Sequence, residues 1–514
     1  MLLVATAPAA ANYRAWCHWD DLFDRLGGVV PSGSEVHAAI VEAEDGEGNY
    51  AIDECTPWAC DPEFEGPLVT HKSGSSGTSN HARSVGKKFL GNTDGMAPDL
   101  KQIQCFELDD WIGDGGLHVG LNGQLPTGSG AVKVWNHSWV GDLGNNNTNR
   151  EALRRMDWMV AHHSTDPIVC AGLNNSETQY PLLYNAYNVI AVGRRDGAHS
   201  WGDVQSPLDG AGRMRPDITG PLFTTSQATA TISAAAAVLV DTVRLDDALP
   251  ETAESSEVIK AVLMASADHS GQKDNSGDIW SNEPDADGPD RGRTSRPLDP
   301  IVGAGHLDVD AAHRVLTAGW QPGAPDTDAP ADAPVDGWSL ESMAAGDVVQ
   351  WRLGWLTETD SLSLVATWHR TVETNFNVTS VADCRLEMLR VAAGSTHTLV
   401  GTEAGEVFDA GNVVSESSVD NVEHLYVEGL RPGHYIIRLS RDDHAEGQAD
   451  VAIAWTIDGD LTDPDLDNDG AVGVRDLLEL LQQWPLCNAC DADLTGDGNL
   501  DLDDLIMLLQ FWGT

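Results

Sequence analysis

The 514-residue sequence predicts a multidomain protein: an α/β domain with a mainly parallel sheet and helices on both faces, then an antiparallel β-sandwich, then a small α domain. Three observations lead there. Up to about residue 320, β-branched runs alternate with longer stretches in which apolar residues recur at three and four. Beyond a Pro- and Asp-rich segment, short alternating runs are separated by Gly- and Asp-containing turns. The C-terminal residues then hold one pattern twice, starting at Asp465 and again 28 positions later at Asp493.

Composition narrows the function classes. Asp plus Glu number 80 against 30 Lys plus Arg, a formal charge of -50 that repels phosphate backbones and excludes a nucleic-acid partner. Hydrophobic content of 41% with 17 Trp is enough to build cores. No stretch approaches the ~18 consecutive apolar residues that a membrane-spanning helix needs. The longest candidate is the Ala-rich run Ile232 to Val240, so no membrane span is expected. Residues 1–11 resemble the end of a secretory signal with an Ala-x-Ala cleavage site, short of a basic start and a full apolar core. Eight cysteines, with the close pairs Cys55/Cys60 and Cys487/Cys490, fit the same expectation of a secreted or cell-surface protein.

Taken in order, residues 12–320 carry strand-like runs at His37–Val41, Ala131–Trp135 and Asn188–Val192, and a helical pattern from Asn149 to His162. Residues 321–336 are rich in Pro and Asp, leave nothing to bury, and are expected to form an extended linker. Residues 337–458 contain the alternating runs Asp347–Leu353, Ser361–Trp368, His434–Leu439 and Asp450–Trp455 of the β-sandwich. Residues 459–514 form the third module.

In that module, Asp465 to Asp476 reads as a 12-residue loop with carboxylates at positions 1, 3, 5 and 12 (Asp465, Asp467, Asp469, Asp476), Gly470 at the turn and the Ala471 carbonyl at position 7. The second loop repeats the plan with Asp493, Thr495, Asp497, the Asn499 carbonyl, Asp501 and Asp504. Such oxygen cages suit Ca2+. Each loop runs into an apolar helix, but none precedes it, so each is half an EF-hand. Paired half EF-hands with Asp at position 12 resemble a dockerin domain, and the resemblance implies a calcium-folded module that docks onto a cohesin-type partner. The spacer Cys487-Asn-Ala-Cys490 departs from the usual dockerin linker and suggests a local disulfide.

Thr224 to Val240 has the form of a cap followed by a small, apolar, buried helix, with Ser226 near its start. Thr224-Thr-Ser-Gln-Ala-Thr-Ala230 resembles the Gly-Thr-Ser-Met-Ala-Thr-Pro nucleophile motif of the subtilases. Arg215-Pro-Asp-Ile-Thr-Gly-Pro221 is similar to the Lys-Pro-Asp-Val-x-Ala-Pro stretch before it, and Val258–Ala267 and Gly303–Asp308 to the closing helix and final turn. His81-Ala-Arg-Ser-Val-Gly86, followed by Gly91 to Asp99, resembles the family's histidine motif. Asn136-His-Ser-Trp-Val-Gly141 resembles the strand that pairs with substrate, and Val169 to Asn175 the strand end carrying the oxyanion-hole amide.

The resemblance implies a subtilisin-like serine endopeptidase acting on a peptide or protein substrate. Ser226 is the nucleophile, His81 the general base and Asn174 the oxyanion donor, while Ser138, Trp139 and Gly141 bind substrate. Where subtilases carry Asp at the end of the first strand, this sequence has Glu42, with Glu44 and Asp45 as reserves. The subtilase-like sedolisins use Glu in their triad, so the chemistry is retained. Ala82, Thr224 and Ala230 also depart from the pattern. They keep a second reading open, a catalytically degenerate subtilase fold that binds peptides or is anchored as a scaffold without turnover.

Overall fold

The computed structural model describes residues 13–53, 61–270, 280–281, 291–356, 361–391, 399–400, 408–442, 447–459, 463–467, 469, 471–484, 490, 492–495 and 499–513. The expected signal segment, residues 1–11, lies outside the described residues, as do Cys55, Cys60, Cys487 and Asp497. The chain divides into two compact units, one of Met1–Trp280, Pro300–Arg314 and Thr371–Thr379, the other of Ser281–Asp299, Val315–Arg370 and Ser380–Thr514.

The first unit is built on seven parallel strands: β1 (His37–Glu42), β2 (Leu68–His71), β3 (Gln102–Glu107), β4 (Val132–His137), β5 (Ile168–Gly172), β6 (Ile190–Arg194) and β7 (Ile218–Gly220), in the order β2-β3-β1-β4-β5-β6-β7. The strand order reverses between β1 and β4, which opens a crevice beyond the carboxyl ends of these two strands. Period-2 alternation puts a helix layer on each face. Trp135 of β4 packs in a core with Leu153 and Met156 of α2 (Asn146–His162), whereas its neighbour Asn136 accepts a hydrogen bond from Ser233 of α3 (Thr225–Leu245) at 3.1 Å on the opposite face.

Helix α3 is long and apolar enough to cross a membrane, yet 89% of that window is buried as the core of this unit. It lies close on the sheet because its contacts are small. A Cβ on Gly172 would meet Thr229 Oγ1 at 2.7 Å, and one on Gly220 would meet the Ala228 carbonyl at 2.8 Å. Behind the sheet, fully buried Asp217 accepts from Arg215 at 2.8 Å and from the Ala191 N–H at 2.8 Å, with Lys260 at 3.2 Å. Arg215 also donates to the Tyr184 and Ala186 carbonyls, which braces the loop before β6. This unit also takes in a distant hairpin. Arg154 donates to the Phe376 carbonyl at 2.9 Å, and the Phe376 ring lies under the Arg155 guanidinium at 4.1 Å and edge-on to Trp158.

In the second unit, two antiparallel sheets share one core. The first contains β8 (Asp336–Ala344), β10 (Ser361–Trp368), β12 (Val422–Glu428) and β14 (Gln448–Asp458). The second contains β9 (Val348–Leu356), β11 (Cys384–Val391) and β13 (Gly433–Arg441) with short strands at its edges. The expected linker, residues 321–336, departs from the sequence reading here. Ala324–Pro325 pairs antiparallel and Ala331–Ala333 parallel with β9, so the segment is part of the sheet and does not float between domains. Proline favours extended backbone and is tolerated at sheet edges, which makes a linker composition compatible with edge pairing. The second unit takes in Ser281–Asp299 as well as the chain from Val315 to Arg370 and from Ser380 onwards, with the C-terminal module in the same unit as the sandwich. Cys17, Cys105, Cys170 and Cys384 are buried, and Cys490 is disulfide-bonded.

His137 ends β4 inside a cluster of Trp111, Trp135 and Trp139, and burial alone pushes its pKa from 6.5 down to about 3. The folded chain therefore refuses a proton that the unfolded chain accepts, and the contribution of this site to stability falls as pH drops through 6.5 towards about 3. Replacing His137 by Phe is expected to stabilise increasingly as pH is lowered, by up to about 1.4 kcal/mol per pH unit below the unfolded value. Urea melts of both proteins at neutral and mildly acidic pH read this slope, and a difference that does not vary with pH would refute it.

Candidate active site

Three elements bring their ends together over the crevice. Strand β1 ends in Glu42, which is 1% exposed. Helix α1 (Asn80–Leu90) is capped by the Ser79 hydroxyl accepting from the Ala82 N–H, which sets His81 in its first turn. Helix α3 is capped by Thr224 accepting from the Gln227 N–H, with Ser226 in its first turn. His81 Nδ1 lies 2.5 Å from Glu42 Oε2, and His81 Nε2 lies 3.0 Å from Ser226 Oγ. The Glu42 side chain thus reaches the imidazole from the end of β1. Glu44 is exposed, and Asp45 accepts the N–H groups of Glu47 and Asn49 in its own turn, so neither reserve takes this place.

The electrostatics follow from burial. Desolvation raises the pKa of Glu42, and the hydrogen bond with His81 opposes that rise. The same hydrogen bond raises the His81 pKa above 6.5 against the effect of its own burial. A carboxylate on Nδ1 fixes the tautomer that leaves Nε2 able to accept a hydroxyl proton. Ser226 is held from the other side too. Its Oγ lies 3.2 Å from the Ser138 carbonyl, Ser138 Oγ donates to the Ser226 carbonyl at 2.9 Å, and Asn136 Nδ2 donates to Ser138 Oγ at 2.9 Å.

The remaining predicted residues divide. Trp139 is 7% exposed and packs into the core, and the Gly141 N–H and C=O both pair with Leu182, at 3.2 and 3.0 Å. The edge beside Ser226 is therefore Ser138 to Val140. Val140 was not singled out in the sequence, and its backbone groups have no partner among the described residues. At the strand end after β5, both amide hydrogens of Asn174 are taken, by Ser176 Oγ at 2.8 Å and the Thr178 carbonyl at 2.9 Å. Its neighbour Asn175 instead faces the start of α3, where its Oδ1 accepts the Thr225 N–H at 2.8 Å. The amide nitrogen of Asn175 and the Ser226 N–H have no partner among the described residues. The sequence reading placed the oxyanion amide on Asn174, and the structure ties that side chain into its own turn while Asn175 meets the helix start.

The C-terminal loops fold alike. The Asp467 and Gly473 N–H groups donate to Asp476, and 28 positions on the Thr495 and Asp501 N–H groups donate to Asp504. Carboxylate oxygens of Asp465, Asp467 and Asp476 lie within 4.8 Å of one another. Burial and the neighbouring Asp476 charge raise the Asp467 pKa. Three converging carboxylates with loop amides wrapped around them form a hard-oxygen donor set, which fits Ca2+.

No protein-family model matches the chain, and no curated protein matches it. Among solved structures it is similar to the prenylagaramide maturation protease PagA, at 18% identity over 57% of this chain and 97% of that one, with a TM-score of 0.35. It is also similar to a serine protease of Aeromonas sobria (13% identity, 83% and 89% covered, TM-score 0.35) and to the subtilase cytotoxin SubAB (15% identity, 58% and 94% covered, TM-score 0.35).

The Glu42 contact makes a spectroscopic prediction. In NMR titrations the His81 ring is expected to titrate above 6.5, and Glu42→Gln to move it down towards that value. An unchanged midpoint in the variant would show that the carboxylate does not bear on the imidazole.

Proposed function

We propose that this chain is a subtilisin-like serine endopeptidase. The observation that carries the reading is the continuous relay from Glu42 through His81 to Ser226, at 2.5 and 3.0 Å, assembled from three separate elements at the start of a buried helix. In this reading a peptide lies along the Ser138–Val140 edge and Ser226 Oγ attacks its carbonyl carbon. His81 Nε2 takes the hydroxyl proton, and Glu42 steadies the resulting imidazolium. The oxyanion is received by the Ser226 N–H and Asn175 Nδ2, which replaces Asn174 in that role. His81 then returns the proton to the leaving amine, and water resolves the acyl ester by the same path.

The C-terminal module is read as a dockerin-like calcium anchor with a cohesin-type partner. Asp465, Asp467, Asp469, the Ala471 carbonyl and Asp476 would hold one Ca2+, and Asp493, Thr495, Asp497, the Asn499 carbonyl, Asp501 and Asp504 the other. When bound, the ions neutralise crowded carboxylates and let the loops close, and they take no part in the reaction. The disulfide at Cys490 supports secretion into an oxidising compartment.

A fluorophosphonate probe is expected to label the wild-type chain, to miss Ser226→Ala, and to label Glu42→Gln slower by ~10³–10⁴-fold, the scale of losing the orienting carboxylate. A folded wild type that stays unlabelled would favour the peptide-binding scaffold without turnover. Asn175→Ala is expected to lower kcat by ~10²–10³ with little change in KM, while Asn174→Ala does not. Equal losses in the two variants would return the donor role to Asn174.

A further inference from the structure

The β-sandwich reaches into the calcium module. Along β9, strict alternation would turn Trp351, Leu353 and Trp355 to the same face. The ladder with β13 slips between Leu353 and Trp355, and Leu356 takes the core position instead. The bulge re-aims Trp355 outwards, where it is 1% exposed in a second core made by Val472 and Leu480 of the first loop and helix with Ala492, Leu494 and Leu508 of the second. Directly opposite Trp355 in the ladder stands His434, and because Tyr435, Ile437 and Leu439 face the sandwich core, His434 faces out with Trp355. The two rings meet edge to face at 5.2 Å, and Trp355 also meets Phe511 at 6.4 Å. His434 is 5% exposed, with Nε2 at 3.3 Å from Asp465 Oδ2 and 3.6 Å from Asp463 Oδ1.

From this geometry we infer that the calcium module is not an independent tether: Trp355 and His434 are positioning residues of its calcium sites, so cation binding and sandwich stability form one coupled equilibrium. The inference rests on the reading of the loops as calcium sites. Trp355 supplies the side chain on which both half EF-hands close, and buried His434 packs its ring against Asp465, the first ligand of the first loop. A small two-helix module buries little apolar surface by itself, so a tryptophan lent by its neighbour is a large share of its core. Groups behind metal ligands typically change affinity by ~10–100-fold when lost.

Calcium titration of the full chain by calorimetry tests this, with Trp355→Ala and His434→Ala beside wild type. Trp355→Ala is expected to weaken both binding steps and His434→Ala one of them, each by ~10-fold or more. Hydrogen exchange of the wild type guards against a variant that merely misfolds. Chelation is expected to speed exchange in residues 348–356 and 433–441 without changing that of α3. Calcium bound equally well by all three proteins, or exchange in those strands indifferent to chelation, overturns the coupling alone. A wild type that binds no calcium overturns the reading of the loops and the coupling with it.

Discussion

A carboxylate buried at the end of a strand is the constraint around which the first unit is arranged. Glu42 is 1% exposed, and its second oxygen finds no hydrogen-bond partner among the described residues. An isolated carboxylate so placed is costly, and the hydrogen bond with His81 is what offsets it. That pairing requires β1 to end where α1 begins, and it requires α3 to deliver Ser226 to the far side of the imidazole. The sheet reverses its strand order between β1 and β4, which opens the crevice at whose mouth both contacts are made.

The second constraint is closeness. Helix α3 can present its first turn at the strand ends only because Gly172 and Gly220 leave no side chain between helix and sheet. Its caps and hydroxyls are then connected to β4 through Asn136, Ser138 and Ser233. The polar chain and the glycine contacts act together, one fixing the helix laterally and the other its height. Thus a nucleophile on one turn is held by groups far apart in sequence, which is how a fold converts burial into orientation.

Much of this was legible in the residues themselves. Alternation and turn chemistry pointed to the α/β sheet and the sandwich, and Glu42, His81 and Ser226 fall where the motifs place them. The motif pointed to Asn174 for the oxyanion amide, and it carried no sign that both amide hydrogens of that side chain are taken locally while Asn175 is the one that meets the start of α3. It likewise singled out Gly141, whose backbone is taken by Leu182, over Val140, because a motif marks a segment but not which alternate residue faces outwards. The Pro- and Asp-rich stretch looked like a spacer because composition reports what cannot be buried. It does not report which backbone groups find an edge to pair with. The bulge before Trp355 was equally hidden, since one slipped residue leaves the hydrophobic pattern of β9 almost unchanged.

The units do not follow the order of the chain. Phe376 lies within the sequence of the sandwich, yet its ring and carbonyl complete the surface of α2 in the first unit. A gene rearrangement that cut near residue 320 would therefore separate the relay from a piece of its own scaffold and leave Arg155 and Trp158 uncovered. The first unit is thus completed by a segment, Thr371–Thr379, that the chain supplies only after it has begun the sandwich.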